Sequence, residues 1–323
     1  MSKLVSYAFC LVVAVLVVYA FSPRSEEDVQ ANRLNVTRVH INDMAHLGGD
    51  TLIAVGERGT VLFSADRGQS WQAGSERPKQ PVTLTAITAL NDNTLLAVGH
   101  DGLILRSTDR GQSWSVQRHD ATLGEPLLGL WSEDGQRVYA FGSFGKFYVS
   151  TDAGLSWAEQ GLPINGEHLN GMDGAADGRR ILVGEMGLVL RTLNGGSSWE
   201  QIEPFYNGSL FGVSQLSGRN WVAYGMRGHV FVSHDDGASW AQVELGHHLP
   251  LYGHARTADD GVLIVGSGGA YAWLDEAGEL SQTGFLKGHD TLTSAVMLTD
   301  GRLIVAGQRG LALQPDSLLA AGK

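Results

Sequence analysis

The hydrophobic positions of this chain form short runs that recur at nearly equal spacing. An apolar run that ends in Gly-x-x-Gly occurs seven times, and the first glycines of the seven copies are Gly56, Gly99, Gly142, Gly184, Gly225, Gly266 and Gly307. The copies are therefore 41 to 43 residues apart. Fifteen residues before each of these glycines stands an isoleucine or a leucine, from Ile41 to Leu292. Seven such units, with β-type runs and no helical periodicity, predict an all-β, seven-bladed propeller.

A second repeated pattern, Ser-x-Asp-x-Gly-x-x-Trp, follows the third apolar run of most units. "SADRGQSW" begins at Ser64, "STDRGQSW" at Ser107, and further copies begin at Ser150, Thr192 and Ser233. The aspartate can accept loop amides, the glycine can adopt a left-handed backbone, and the tryptophan can pack between sheets. The pattern therefore predicts a structural corner, built by Asp66 and Trp71, Asp109 and Trp114, Asp152 and Trp157, Asn194 and Trp199, and Asp235 and Trp240.

Each unit has four candidate strands, and the Gly-x-x-Gly turn is expected to join the second to the third, with glycine supplying the positive φ. Two positions into the innermost strand the residue is small in six of the seven units, Asp43 being the exception. This fits the crowding where seven strands meet at one axis. The seventh unit lacks a fourth strand, so we expect residues 33–39 to pair as the outer strand of the last blade and close the ring.

The N-terminus has a different pattern, an uninterrupted apolar run over residues 4–21. It is long for a signal-peptide core and short for a membrane span. Lys3 precedes it and an acidic segment follows, which predicts that the rest of the chain crosses to the periplasmic or luminal side of the inner membrane. A retained N-terminal helical anchor is the favoured interpretation, and a cleaved signal that releases the propeller into the periplasm is the alternative. The predicted divisions are 1–21 (signal anchor or signal peptide), 22–32 (linker), 33–316 (propeller) and 317–323 (tail).

Composition narrows the function. The 34 acidic and 23 basic residues give a net charge of −11, which argues against nucleic acid as a partner. The single cysteine, Cys10, lies in the apolar run, so the propeller can hold no disulfide or cysteine-ligated metal. The adjacent His247 and His248 point opposite ways on an extended segment and are poor chelators. We find no nucleophile elbow and no phosphate-binding loop, and we expect no catalytic residue, metal or cofactor.

The repeated octapeptide resembles the Asp-box, or bacterial neuraminidase repeat, and the seven even units resemble the photosystem II stability/assembly factor family. The resemblance implies a non-enzymatic propeller that helps an inner-membrane protein complex to assemble or function. It also implies a transporter of the resistance-nodulation-division class as a client, because relatives of the family are found beside such exporters. Fold alone does not establish function.

The alternative function is a glycan-active enzyme or lectin, because sialidases share the Asp-box. The Phe-Arg-Ile-Pro-like stretch that carries the first sialidase arginine is absent here. Glu57, Asp101 and Glu185 are carboxylates on one face of the predicted propeller, as a glycosidase would need, but they are interpreted as solvated turn residues.

Partner binding is expected on the face that carries the Gly-x-x-Gly turns. Aromatic, methionine and arginine side chains are enriched in interface cores, and blades 3 to 5 concentrate them on this face. The predicted contacts are Phe144, Met186, Phe205, Tyr206, Met226 and Arg227, with Arg58 and Arg309 as a second group. The opposing interpretation is that half of these side chains pack into neighbouring loops.

Overall fold

A computed structural model describes residues 2–21, 39–74, 82–122 and 124–314 of the chain. The chain divides into two compact units, Met1–Asn35 and Val36–Lys323. The first contains helix α1, Ser2–Phe21, which covers the apolar run. Among the described residues, no helix combines the length and apolar character that a membrane span requires. The predicted linker and C-terminal tail lie outside the described residues.

The second unit is a ring of antiparallel sheets, each formed by strands in sequence order. Blade 1 comprises β1 (Ile41–His46), β2 (Leu52–Gly56), β3 (Val61–Ser64) and β4 (Gln72–Ala73); blade 2 comprises β5 (Leu84–Ala89), β6 (Leu95–Gly99), β7 (Ile104–Ser107) and β8 (Ser115–Arg118). Blade 3 comprises β9 (Leu127–Ser132), β10 (Val138–Gly142), β11 (Phe147–Ser150) and β12 (Ala158–Glu159); blade 4 comprises β13 (Leu169–Gly174), β14 (Arg180–Gly184), β15 (Val189–Thr192) and β16 (Glu200–Gln201). Blade 5 comprises β17 (Leu210–Gln215), β18 (Trp221–Gly225), β19 (Val230–Ser233) and β20 (Ala241–Val243); blade 6 comprises β21 (Leu251–Arg256), β22 (Val262–Gly266), β23 (Ala270–Leu274) and β24 (Leu280–Phe285); blade 7 comprises β25 (Leu292–Met297), β26 (Leu303–Gly307) and β27 (Gly310–Leu313).

The core lies between the blades. Seven hydrophobic clusters separate the seven sheets, and each is built from two neighbouring blades. One of them joins Ile304 of blade 7 to Leu52 of blade 1, so the ring is closed. The second strand of every blade is buried along its whole length. The seven-bladed propeller predicted from the repeats is therefore confirmed.

The seam between blades 7 and 1 is joined by side chains as well as by the core. Thr293 Oγ1 donates to the Ile41 carbonyl at 2.7 Å, and Ser294 Oγ donates to Asp43 Oδ1 at 2.9 Å. Within the described residues the last blade has three strands. Residues 33–38 of the predicted closing strand lie outside the described part of the chain, and Val39 at its end packs against the core at the seam.

The Asp-box corners form as their sequence predicts. In blade 2, the Ser113 amide and hydroxyl donate to Asp109 at 2.9 and 2.5 Å, and the Gly111 amide donates to Ser107 Oγ at 2.9 Å. Gly111 has φ +83°, and a Cβ there would lie 2.4 Å from Ile53 Cδ1 of blade 1. The absence of a side chain at each corner glycine thus allows the corner to pack closely against the preceding blade. Trp114 packs in the core between blades 1 and 2, as the prediction required.

The Gly-x-x-Gly turns differ in one respect from the prediction. The first glycine of each turn is extended, and it is required because its Cβ would meet backbone: at Gly56 it would lie 2.1 Å from the His40 carbonyl oxygen. The second glycine has positive φ, as at Gly59 with +67°. Of the two residues between them, the second, here Arg58, also has positive φ (+55°). The turn therefore places one non-glycine residue in the left-handed region, which sequence reasoning missed.

Candidate functional site

The alternation of strand directions assigns every connection to one of two faces. The turns between second and third strands and the loops between blades lie on one face, which we call the turn face. The Asp-box corners and the connections between first and second strands lie on the other, the corner face. All the predicted partner contacts are on the turn face.

The third residue of each turn forms a tip with nearly the same backbone in most blades. Among these tips, φ is between +54° and +64° at Arg58, Asp101, Phe144, Met186, Arg227 and Gly268 in blades 1 to 6. Phe144 is 61% exposed and Met186 70% exposed. Phe144, Met186 and Arg227 are the tips of three successive blades, so the structure brings this part of the predicted patch together.

The loop between blades 4 and 5 ties two of these turns. The Gly187 amide donates to the Gly208 carbonyl at 2.8 Å, and the Tyr206 hydroxyl donates to the Met226 carbonyl at 3.1 Å. Tyr206 also meets the His229 ring edge-on at 4.8 Å. Tyr206 and Met226 are therefore half-buried and support the Met186 and Arg227 tips from beneath.

Phe205 lies differently from its neighbour in the sequence. Its ring stacks on Trp240 at 5.7 Å and meets Phe231 edge-on at 5.0 Å, within the core between blades 4 and 5. Phe205 thus contributes to the packing of the blades, as the opposing interpretation had it. The sequence alone gave no signal, because the adjacent Phe205 and Tyr206 share one loop and differ only in the direction of their side chains.

The second group of predicted contacts flanks the seam. Arg58 and Arg309 are exposed tips of blades 1 and 7, which adjoin at the closure of the ring. Arg309 Nε donates to Asp290 Oδ2 at 2.7 Å, so part of its charge is already paired. Within the described residues Arg58 takes part in no ion pair.

Two of the three turn carboxylates, Glu57 and Glu185, lie beside histidines. Glu57 Oε1 lies 3.1 Å from His40 Nδ1, and Glu185 Oε1 lies 3.5 Å from His168 Nδ1. Each pair joins a turn to the segment that precedes the inner strand of the same blade. Within the described part of the chain, no group of three or more His, Cys, Asp or Glu side chains is placed to hold a metal ion.

The structure also contains a cavity at the turn-face end of the central channel, which sequence reasoning did not predict. Its volume is about 250 Å³, and its wall is formed by the second to fourth residues of the inner strands, together with inward-pointing rings of second strands. The rings of Phe141 and Tyr224 pass directly over Gly129 and Gly212, where a Cβ would lie 2.2 and 2.1 Å from them. These small residues therefore make room for aromatic rings in the channel. We call this cavity the channel mouth.

Four side chains of the channel mouth connect consecutive blades. Each is the second residue of its inner strand, and each donates to the first carbonyl of the next inner strand. The donors are Asn42 to Leu84 at 2.7 Å, Thr85 to Leu127 at 2.6 Å, Asn170 to Leu210 at 2.9 Å, and Thr293 to Ile41 at 2.7 Å. The equivalent positions of the other three blades are Leu128, Phe211 and Tyr252.

Asp43 is the acidic group of the channel mouth. Its carboxylate accepts the Ile87 amide of blade 2 at 3.0 Å, the Met44 amide at 2.8 Å and the Ser294 hydroxyl of blade 7 at 2.9 Å. Burial raises the pKa of Asp43 to about 6 although these hydrogen bonds favour the carboxylate. The residue that departs from the small-residue pattern is thus a clamp between three blades.

Tyr224 and His254 line the same cavity as Asp43. The Tyr224 hydroxyl lies 2.6 Å from His254 Nδ1. Burial lowers the pKa of His254 and raises the pKa of Tyr224, so both groups are neutral at neutral pH. The tyrosine is then the donor in this hydrogen bond and the imidazole Nδ1 the acceptor.

Comparisons with known proteins agree with the fold. The sequence model of the family described as "Photosynthesis system II assembly factor YCF48" matches residues 14–108. No curated protein shows significant sequence similarity to the chain. Among solved structures, "YCF48 bound to D1 peptide" is 19% identical with a TM-score of 0.70, covering 86% of this chain and 93% of that chain.

Two further structures extend the comparison. YCF48 from Cyanidioschyzon merolae is 16% identical with a TM-score of 0.66, covering 85% of this chain and 95% of that chain. The WD40 propeller domain of Doa1 is 16% identical with a TM-score of 0.69, covering 86% of this chain and 94% of that chain. The resemblance carried by the repeats is confirmed: the chain is a seven-bladed propeller similar to the photosystem II assembly factors.

Proposed function

We propose that the chain is a non-enzymatic binding propeller whose turn face holds part of a membrane protein complex during its assembly or operation. The observation that carries this proposal is the presence of Phe144 and Met186 at turn tips. Both are large and apolar, both are exposed, and both occupy the left-handed region of the backbone.

These two residues are unfavourable for the folded chain on its own. A left-handed backbone costs a non-glycine residue roughly 1–2 kcal/mol, and exposing an apolar side chain removes the benefit of burial. Blade 6 has Gly268 at the same tip with φ +64°, so the turn itself does not require a large side chain. A partner that buries Phe144 and Met186 would offset both costs, and both side-chain types are common in interface cores.

The class of partner follows from the comparison and from the resemblance. The structure described as YCF48 bound to D1 peptide is a propeller of the same fold with a peptide ligand. By analogy, we propose that the turn face binds a peptide segment of a membrane protein. An exporter of the resistance-nodulation-division class is the specific client we propose.

We also propose that the propeller acts outside the cytoplasm. The support is the apolar run over residues 4–21, with Lys3 before it and acidic residues after it. A protease added to intact spheroplasts should then degrade the propeller without cell lysis, and protection until lysis would contradict this location. The mass of the mature N-terminus separates a retained anchor from a cleaved signal.

The test of the function is partner capture by matched tip variants. The double variant Phe144→Asn and Met186→Asn keeps residues that tolerate positive φ and removes the apolar side chains. Tagged full-length protein would be crosslinked in native membranes, solubilised gently, purified and analysed by mass spectrometry. We expect one membrane protein or complex with the natural chain and at least a tenfold loss with the double variant, roughly the effect of removing interface hot spots.

The control for this experiment is Asp101→Asn, which changes a tip of the same geometry that is already polar. It should capture the partner as the natural chain does. Unchanged capture by the Phe144→Asn and Met186→Asn double variant, with its thermal stability intact, would overturn the assignment of the turn face.

A further inference from the structure

We infer that the channel mouth is a binding site for an organic cation, specifically an alkylammonium or guanidinium group. This site is distinct from the turn tips, and its occupation does not depend on the proposed membrane partner. The argument rests on the hydrogen-bonding capacity of the wall, on the charge of Asp43 and on the size of the cavity.

The polar wall of the channel mouth presents acceptors. The hydroxyls of Thr85 and Thr293 and one amide N–H each of Asn42 and Asn170 donate to carbonyls of the neighbouring blades. Among the described residues, nothing donates to the amide oxygens of Asn42 or Asn170. A threonine hydroxyl that donates still has lone pairs to accept. A guest in this cavity is therefore recognised best if it brings several N–H donors.

The charge of the wall points to a positive guest. Asp43 accepts three hydrogen bonds, yet it forms no ion pair within the described part of the chain. Asp173 lies farther along the channel, outside the cavity wall, where it accepts Trp131 Nε1 at 2.9 Å and the Gln215 amide at 2.8 Å and forms no ion pair with a described residue. The basic residue of the cavity wall is His254, which burial keeps neutral. Buried carboxylates are normally paired, so a cation is the complement that this wall lacks.

The size and the aromatic wall select an organic cation. A volume of about 250 Å³ lies just below the range of roughly 300–1,000 Å³ found for drug-sized ligands, so it suits one side chain or a small amine. The rings of Phe211 and Tyr252, 5.3 Å apart, line the same cavity, and aromatic rings attract organic cations. A metal ion is disfavoured because the described residues place no set of three His, Cys, Asp or Glu side chains together.

The first experiment is isothermal titration calorimetry of the full-length protein in detergent at pH 7.5. The cationic probes are n-butylammonium and Nα-acetyl-lysine N-methylamide, and the matched neutral probes are 1-pentanol and Nα-acetyl-norleucine N-methylamide. We expect saturable binding of the cationic probes at one site and none of the neutral ones. Binding of butylammonium alone identifies a free amine as the source, and binding of the lysine amide identifies a basic side chain. Equal binding of cationic and neutral probes, or of neither, would overturn the inference.

The second experiment uses a matched pair of carboxylate variants. Asp43→Asn should weaken binding of the cationic probe by about tenfold or more, because it removes a charge-assisted contact. Asp173→Asn removes a carboxylate with the same inter-blade clamping role that lies outside the cavity wall, so it should retain most of the affinity. Equal loss in both variants would show a structural effect and contradict the site.

A third variant guards against misfolding of Asp43→Asn. Tyr252→Leu keeps an apolar side chain in a partly exposed position that makes no inter-blade hydrogen bond, so the fold should tolerate it. We expect a loss of affinity of roughly two- to fivefold for the cationic probe, as for removal of a cation–π contact. Unchanged affinity in Tyr252→Leu together with unchanged affinity in a folded Asp43→Asn would exclude the channel mouth.

The pH profile gives an independent readout. Lowering the pH from 7.5 to 5 should weaken cation binding, since Asp43 becomes neutral as the pH falls through about 6. Tyr224 stays neutral because burial raises its pKa, and protonation of His254, whose pKa burial lowers, would add positive charge to the wall and so act in the same direction. Tighter binding at pH 5 would contradict the inference.

Discussion

The corner face and the turn face are built on the same sevenfold repeat, yet they use it in opposite ways. On the corner face the backbone and the side chains both recur, so that Asp66, Asp109, Asp152 and Asp235 accept the same hydrogen bonds from the same neighbours. On the turn face only the glycines recur, while the tips change from arginine to aspartate, phenylalanine and methionine.

The difference separates the needs of the fold from those of binding. A corner side chain that packs or hydrogen-bonds within the ring is restricted by the same geometry in each of the five blades that carry an Asp-box. A tip that projects into solvent is unrestricted by the fold, except that its positive φ favours glycine, asparagine or aspartate. Where a tip is nevertheless a phenylalanine or a methionine, the reason is expected to lie outside the chain.

The largest effect should come from breaking a corner. Trp114→Ala removes a ring that packs between blades 1 and 2, and we expect a loss of about 3 kcal/mol in the free energy of unfolding. Chemical denaturation measures it, and Val116→Ala on the exposed outer strand of the same blade is the control, with little change expected. If Trp114→Ala lowered the free energy of unfolding no more than Val116→Ala does, the structural role of the corners would be contradicted.

A smaller effect of opposite sign is expected at a tip. Met186→Asn replaces a residue strained at positive φ by one that tolerates this backbone, and the methionine side chain is too exposed to contribute to the core. The free energy of unfolding should therefore rise by roughly 0.5–1 kcal/mol. The matched substitution on the corner face is Leu155→Asn, whose residue is 58% exposed and does not have positive φ; it should leave stability nearly unchanged. Destabilisation by Met186→Asn would mean that the methionine serves the fold after all.

The pH dependence of stability should distinguish the corners from the channel. The Ser156 hydroxyl and amide lower the pKa of Asp152 to about 2, so its contribution is present above its ordinary value of 3.8 and is lost as the pH falls through about 2. Burial raises the pKa of Asp43 to about 6, so its contribution falls as the pH rises from about 4 to about 6.

Denaturation of Asp43→Asn and Asp152→Asn across pH 2 to 7 measures these contributions. Relative to the natural chain, Asp43→Asn should lose less stability as the pH rises to 7, and Asp152→Asn should lose less as the pH falls to 2. The reverse pattern would mean that the two carboxylates are not held as described.

The smallest expected effect is on catalysis. The purified propeller should release no fluorophore from a 4-methylumbelliferyl sialoside above the buffer rate. Hydrolysis that is lost on changing Glu57 or Glu185 would instead favour the glycan-active alternative.

The fold was predictable because each repeat carries residues that local geometry requires. The corner glycines adopt positive φ and the corner tryptophans pack in the core between blades, so the residue types of the repeat indicate the geometry of the blade. The tips Phe144, Met186 and Arg227 were also predictable as a group, because the turns lie in register on one face.

What could not be predicted depends on contacts between blades. Phe205 and Tyr206 share a loop and both pack against the core between blades 4 and 5, and only that packing decides that Phe205 stacks on Trp240 while the Tyr206 hydroxyl reaches the Met226 carbonyl. The channel mouth joins residues about 40 positions apart in the sequence, and at the seam it joins Thr293 to Ile41, which are 252 positions apart. In the sequence Asp43 stands out only as the exception to the small residues at this position of the inner strands. Its hydrogen bonds to the Ile87 amide and the Ser294 hydroxyl become apparent only in the folded ring.

The most direct test of the account places a photoreactive phenylalanine analogue at Met186 or, in a separate protein, at Leu155. Both positions are well exposed and apolar, but the first is on the turn face and the second on the corner face. After irradiation of native membranes that contain the full-length protein, we predict an adduct with one membrane protein from position 186 and none from position 155. The same adduct from both positions, or one from position 155 alone, would contradict the claim that the turn face binds the partner.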